Sequence, residues 1–144
     1  MVYISYMNLQ LKKFDMSKTK SDQVVVFIGK RNTGKSFLVK DLLYYQQDIP
    51  IGTVISATES ANQFYGDLIP SLFIHDDYEP AIIVNVLKRQ KIVIQQIKKQ
   101  FMKTGNSNID PRAFLILDDC MYDNSWTKDK NIRSKFMNGR HYKM

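Results

Sequence analysis

The chain is poor in several residues that would otherwise define its class. Cys120 is its only cysteine in 144 residues. No disulfide can close within the chain, which fits a reducing compartment. Long apolar runs are missing as well: none approaches the roughly 20 residues that a membrane-spanning helix needs. Residues 1–7, Met1-Val2-Tyr3-Ile4-Ser5-Tyr6-Met7, lack both a basic n-region and a small-residue cleavage site, so no secretory signal is expected there. Histidine is scarce too. His75 stands beside Asp76 and Asp77, but three adjacent loop residues rarely converge on one ion, and the usual histidine ligand spacings are missing. No repeat, low-complexity tract or interdomain linker is visible. What remains is ordinary for one globular domain, with 44% apolar and 24% charged residues and enough chain to bury a real core.

Charge is abundant and unevenly spread. The net charge is +7, of which residues 1–20 carry +3, 21–80 carry −4, 81–112 carry +6 and 113–144 carry +2. The third block holds Lys88, Arg89, Lys91, Lys98, Lys99, Lys103 and Arg112 against Asp110 alone. Apolar residues at Ile82, Ile83, Val86, Leu87, Val93, Ile94, Ile97 and Phe101 recur there at helical spacing, predicting one long helix or two shorter ones over 81–103. Its basic face is either a contact for phosphate backbones or simply a solvated surface.

The most informative stretch is Gly29-Lys30-Arg31-Asn32-Thr33-Gly34-Lys35-Ser36. It fits G-x-x-x-x-G-K-[ST], the phosphate-binding loop of nucleoside triphosphatases. Gln23-Val24-Val25-Val26-Phe27-Ile28 precedes it and reads as a buried strand, while residues 37–47 follow with the pattern of a helix. Glycine at positions 29 and 34 lets successive backbone N–H groups turn toward phosphate oxygens, and the start of the helix adds its dipole. In that arrangement Lys35 bridges the β- and γ-phosphates and Ser36 ligates Mg²⁺. Phe37, directly after the loop, completes the expected nucleotide-binding set.

Further along, Asp48-Ile49-Pro50 ends the helical pattern and residues 52–58 predict a second strand. Thr58-Glu59-Ser60-Ala61-Asn62 follows it, so Glu59 lies near the nucleotide or a neighbouring subunit, or else Thr58 or Ser60 caps a helix. Residues 69–75 carry a short apolar stretch suited to a minor strand. Ala113-Phe114-Leu115-Ile116-Leu117-Asp118-Asp119 is the second nucleotide-site signal: an apolar strand delivers Asp118 to the Mg²⁺ shell and Asp119 to a water facing the γ-phosphate. Residues 127–136 predict a helix with Asn138-Gly139 as its C-cap. Residues 1–22 form a lead-in, either an edge strand or loose chain, and residues 23–144 the domain itself.

Four stretches together carry a family resemblance. They are the phosphate loop, Ser56-Ala57-Thr58-Glu59-Ser60-Ala61-Asn62-Gln63-Phe64-Tyr65, Leu115-Ile116-Leu117-Asp118-Asp119-Cys120-Met121-Tyr122-Asp123, and Phe136-Met137-Asn138-Gly139-Arg140-His141-Tyr142. In order and spacing the chain resembles the poxvirus-type genome-packaging ATPases of large nucleocytoplasmic DNA viruses, a branch of the FtsK/HerA superfamily. The resemblance implies an α/β fold of the P-loop NTPase type, three layers with a mainly parallel sheet. It also implies ATP and Mg²⁺ as cofactors, a homo-oligomeric ring, double-stranded DNA and viral capsid components as partners, and virus assembly sites in the host cytoplasm or the virion as location. Lys35, Asp119 and Arg140 take the catalytic positions and Ser36 and Asp118 the metal positions. Arg140 is then an arginine finger acting across a subunit boundary, or else an ordinary surface arginine after the C-cap. Members of the family continue past the Arg-His segment into further strands, so the sheet is expected to lack C-terminal strands in this chain.

Two other functions fit the same loop. A nucleotide or small-molecule kinase would share it, although such kinases carry arginine-rich lids in place of the Asp118-Asp119 and Arg-His segments. A truncated, catalytically inactive nucleotide-binding module would keep the loop without turnover.

Overall fold

The computed structural model describes residues 13–20, 23–120 and 125–133. The expectations for residues 1–12, for Met121-Tyr122-Asp123 and for Phe136 through Arg140 to Met144 lie outside the described residues.

The sequence run Gly52-Thr53-Val54-Ile55-Ser56 forms strand β1 (Gly52–Ser56), and every one of its residues is buried. A strand with apolar β-branched residues on both faces has to be covered on both, which is the condition of a parallel sheet with helices on either side. That is what surrounds it. Strand β2 (Ile74–His75) pairs with one edge of β1 and strand β3 (Phe114–Asp118) with the other, both parallel, in the order β2-β1-β3. The protein is therefore α/β, with a small three-stranded parallel sheet among the described residues.

Side chains alternate across the pleat. Val54 lies in one apolar cluster with Tyr65 and Ile69, and Val39 and Leu43 of helix α1 (Lys35–Tyr44) pack against it. Ile55 lies in the other, with Ile83 of helix α3 (Pro80–Thr104), Tyr78, Cys120 and Ile132. Leu115 and Leu117 of β3 join the Ile55 cluster, and Phe114 and Ile116 join the Val54 cluster. Between β1 and β2 the chain makes the short helix α2 (Glu59–Asn62), and helix α4 (Ser125–Lys128) follows β3.

Helix α3 is one continuous element, opened by Pro80 in its first turn and closed by Gly105 with φ 74. Its 25 residues make it about 37 Å long, and only its first half is anchored. Ile83, Val86 and Gln90 are its buried residues, and Gln90 Nε2 donates to the Pro111 carbonyl at 2.8 Å, tying the helix to the lead into β3. Beyond Gln90, Val93, Ile94 and Ile97 are half-buried, and Phe101, expected on the packed face, is exposed.

Residues 23–28 correct a larger expectation. They read as a buried strand but belong to no strand, and Val24, Val26 and Ile28 are exposed. A strand needs a hydrogen-bonding neighbour. The outer edges of β2 and β3 are open in the order β2-β1-β3, yet no described residue pairs with 23–28. The same gap explains a second difference. Helix α1 packs through Val39 and Leu43, four residues apart, whereas Phe37, Leu38 and Tyr45 are exposed. Of the N-terminal lead-in, Met16–Lys18 forms a 3-10 turn capped by Asp15, and Gln46 Nε2 donates to the Thr19 carbonyl at 2.9 Å, holding it near the end of α1.

Gly52 stands opposite Phe114 in the β1–β3 register, and a Cβ built on it would fall inside the Phe114 ring. Gly52→Ala is therefore expected to destabilise the fold by about 3 kcal/mol, as overpacking of a rigid site does. Urea denaturation should show a lower midpoint at unchanged slope, and adding Phe114→Leu should recover much of the loss. An unchanged midpoint for the single variant would mean the ring is not held over the glycine.

Candidate functional site

The phosphate loop leads from the exposed 23–28 stretch directly into α1. Gly34, with φ 84, is the residue before the helix, and it brings no side chain to cap the first turn. Those leading N–H groups are thus left for an anion, at the positive end of the helix dipole. Asn32 is also left-handed at φ 60, a conformation asparagine tolerates better than most residues. Two groups converge on one carbonyl inside the turn. Thr33 Oγ1 donates to the Lys30 oxygen at 2.7 Å and Lys35 Nζ donates to it at 2.9 Å. A Cβ on Gly29 would come within 2.8 Å of Thr33 Oγ1, so the loop can curl this tightly only with glycine there. The Lys35 ammonium is held within its own loop, while Lys30, Arg31, Asn32 and Thr33 are exposed.

The decisive contact is long-range. Ser36 Oγ donates to Asp118 Oδ2 at 3.0 Å across 82 residues of sequence. Ser36 is the second residue of α1 and Asp118 the last of β3, so the loop sits at the C-terminal end of the parallel sheet. Ligands of such sheets bind at that end. Asp119 follows with φ 52 and is exposed. The chain turns sharply there, because Cys120 is buried again, its Sγ donating to the Ile55 carbonyl at 3.4 Å. Burial, with Asp118 nearby, pushes the Cys120 thiol up to about 11, so it is no nucleophile at neutral pH.

Among the described residues no three His, Cys, Asp or Glu side chains gather on one point. Mg²⁺ takes one or two carboxylates together with substrate phosphates. The Ser36 hydroxyl and the Asp118 carboxylate, on adjoining elements beside the loop, are a donor pair of that kind. Phe37 is placed beside the loop, its ring edge-to-face with Phe64 at 5.5 Å, and Lys40 Nζ lies 5.0 Å from the Phe64 centroid. Arg140 lies outside the described residues, and nothing places it relative to this site.

Two residues acquire roles that sequence patterns did not assign. Glu59 is buried, and its carboxylate accepts the Tyr65 N–H at 3.0 Å from each oxygen and the Gly66 N–H at 2.8 Å. It organises the turn after α2. Thr58 is the N-cap residue of that helix, one of the two positions expected for it, although its side chain makes no capping hydrogen bond. Tyr65, 1% exposed, donates its hydroxyl to Asp118 Oδ2 at 2.7 Å. A buried tyrosine must find a partner for its hydroxyl, but only the tertiary fold reveals which one. An open cavity of about 690 Å³ lined by Gly52, Ile69, Pro70 and Phe114 lies at the opposite, N-terminal end of the strands, away from the loop.

Comparison with known proteins places relatives in viruses. The chain is 40% identical over 142 residues to uncharacterized protein L437 of Acanthamoeba polyphaga mimivirus, covering 98% of this chain and 49% of the relative. It is 41% identical over 138 residues to uncharacterized protein 075L of Invertebrate iridescent virus 6, covering 95% and 50%. It is 36% identical over 131 residues to uncharacterized protein 015R of Frog virus 3 (isolate Goorha), covering 89% and 36%. The chain spans half or less of the length of these curated relatives. No protein-family model and no solved structure matches it.

Proposed function

We propose that this chain is the ATP-binding and ATP-hydrolysing part of a viral motor that drives double-stranded DNA into a capsid, built on a P-loop NTPase fold. The observation that carries the nucleotide site is the Ser36–Asp118 hydrogen bond. Two motifs read independently from the sequence meet at one end of one sheet, as a Mg²⁺·ATP site requires. Gly29 to Ser36 would cradle the phosphates, with Lys35 supplying the cation. Ser36 and Asp118 would hold Mg²⁺, which neutralises phosphate charge when bound. Asp119 stands next to Asp118 as the acceptor of a proton from water. The exposed Phe37 ring offers a base a stacking face.

The packaging role rests on the family resemblance and on relatives that belong to large DNA viruses. A ring of copies, contact with capsid components and an Arg140 finger belong to the same proposal. DNA-stimulated ATP turnover is its test. Turnover that depends on a nucleoside acceptor and ignores DNA would indicate a kinase.

The distal part of α3 is the DNA contact in this proposal. At about 100° per residue, the exposed Lys88, Lys91, Lys98, Lys99 and Lys103 fall within an arc of about 140°, with Lys88, Lys99 and Lys103 opposite buried Ile83, Val86 and Gln90 and Lys91 and Lys98 toward one flank. Five lysine–phosphate contacts would make duplex affinity fall by about 10²–10³-fold between 50 and 200 mM salt. Lys98→Gln with Lys99→Gln should reduce the slope of log affinity against log salt by about 2, read by fluorescence anisotropy. An unchanged slope would remove this face from the DNA contact.

A further inference from the structure

The Asp118 carboxylate accepts two hydrogen bonds on the same oxygen. Ser36 Oγ lies 3.0 Å from Oδ2 and the Tyr65 hydroxyl 2.7 Å from it. The serine belongs to the loop and has a natural place in the nucleotide site. Tyr65 does not. It comes from the turn after α2, and neither the phosphate loop nor the strand-plus-acids pattern includes it.

Tyr65 is fixed at both ends. Its ring is buried with Val54 and Ile69, and Phe64 meets it edge-to-face at 5.1 Å. Its backbone N–H is accepted by both Glu59 oxygens. Glu59 is itself 6% exposed and accepts the Gly66 N–H as well. A chain of contacts therefore runs from the end of β1, through Glu59 and the Tyr65 phenol, to the carboxylate at the end of β3. In that contact the phenol is the donor and the carboxylate the acceptor.

An aspartate at a strand end has several side-chain rotamers open to it. A buried donor on one oxygen removes most of them and directs the other oxygen away from the core. Partners that orient a metal ligand in this way are worth more to cation affinity than their own contacts suggest. We propose that Tyr65 is a positioning residue for the cation-binding carboxylate of Asp118, and that Glu59 holds Tyr65 in place for it. This rests on the Mg²⁺·ATP reading of the site.

Tyr65→Phe removes one oxygen and leaves the ring to fill the core. The test is a Mg²⁺ titration of binding to a fluorescent ATP analogue, on the chain as it stands, alongside titrations in EDTA and thermal unfolding. Tyr65→Phe should raise the Mg²⁺ concentration for half-saturation about tenfold while analogue affinity in EDTA stays as in the parent protein. In an Asp118→Asn background the tyrosine change should add nothing, because its effect passes through Asp118. Equal weakening with and without Mg²⁺, or additive effects in the double variant, would make Tyr65 a packing residue and overturn the inference. An unchanged Mg²⁺ requirement would overturn it too. If the parent protein itself shows no Mg²⁺-dependent binding, the nucleotide reading fails and this inference with it, and that outcome is read from the parent alone.

Discussion

Lys35→Ala is expected to weaken ATP binding by about 100-fold or more without loosening the fold. The ammonium is held by the Lys30 carbonyl at 2.9 Å, which keeps it within the loop. Exchanging that neutral partner for phosphate oxygens gives charge-assisted hydrogen bonds, each worth about 1.5–3 kcal/mol. Losing two of them removes about 3 kcal/mol at the least, and each 1.4 kcal/mol is tenfold in affinity. The folded state should hardly notice. Lys35 is the first residue of α1 and makes no core contact, and alanine is the best helix former. Calorimetric titration with ATP and an unfolding curve would separate the two effects. An affinity within threefold of the parent protein would sink the phosphate-loop assignment, whereas a fall in unfolding temperature would show the lysine to be structural.

Asp119→Asn is expected to do the opposite of Lys35→Ala: leave nucleotide affinity intact and lower kcat by about 10²–10⁴-fold, the usual worth of a general base. The side chain is exposed, and its backbone at φ 52 lies in a region asparagine accepts as readily as aspartate. The substitution removes charge without disturbing the turn that returns Cys120 to the core. A DNA-stimulated ATPase assay, with kcat and KM measured separately, checks it. A rise in KM at unchanged kcat would mean that Asp119 binds substrate and does not act on the water. If the same loss came from Asp118→Asn but not from Asp119→Asn, the two carboxylates would have exchanged roles.

The loop and the acids at a strand end could be picked out before any fold was known, because such patterns are tied to local spacing. The glycines of the loop, Lys35, Ser36 and the acids at the end of an apolar run each have a reason to be where they are in sequence. Their meeting at the Ser36–Asp118 contact follows from a parallel sheet that delivers strand ends and helix starts to one edge. The central strand was legible for a similar reason: Val54 and Ile55 in an uninterrupted β-branched stretch demand cover on both faces.

What escaped the sequence depends on partners distant in the chain. Residues 23–28 have the composition of a buried strand, but composition describes fitness for a sheet and not the presence of a neighbour. Without one, Val24, Val26 and Ile28 stay exposed, and α1 turns Val39 and Leu43 inward in place of Phe37. Helical periodicity in α3 marks an apolar side, yet it cannot tell how far along that side the helix is covered: Val93, Ile94 and Ile97 are half-buried and Phe101 is exposed. Tyr65 and Glu59 were hidden for a related reason. Each works through a hydrogen bond that only the tertiary fold creates.

The most direct test of the central claim is calorimetric titration of the parent chain with ATP, once with excess Mg²⁺ and once in EDTA. Binding of one ATP per chain, weakened about tenfold or more when Mg²⁺ is removed, is the predicted result. No binding at millimolar ATP, or binding indifferent to Mg²⁺, would contradict the claim that the phosphate loop and the end of β3 form one nucleotide site.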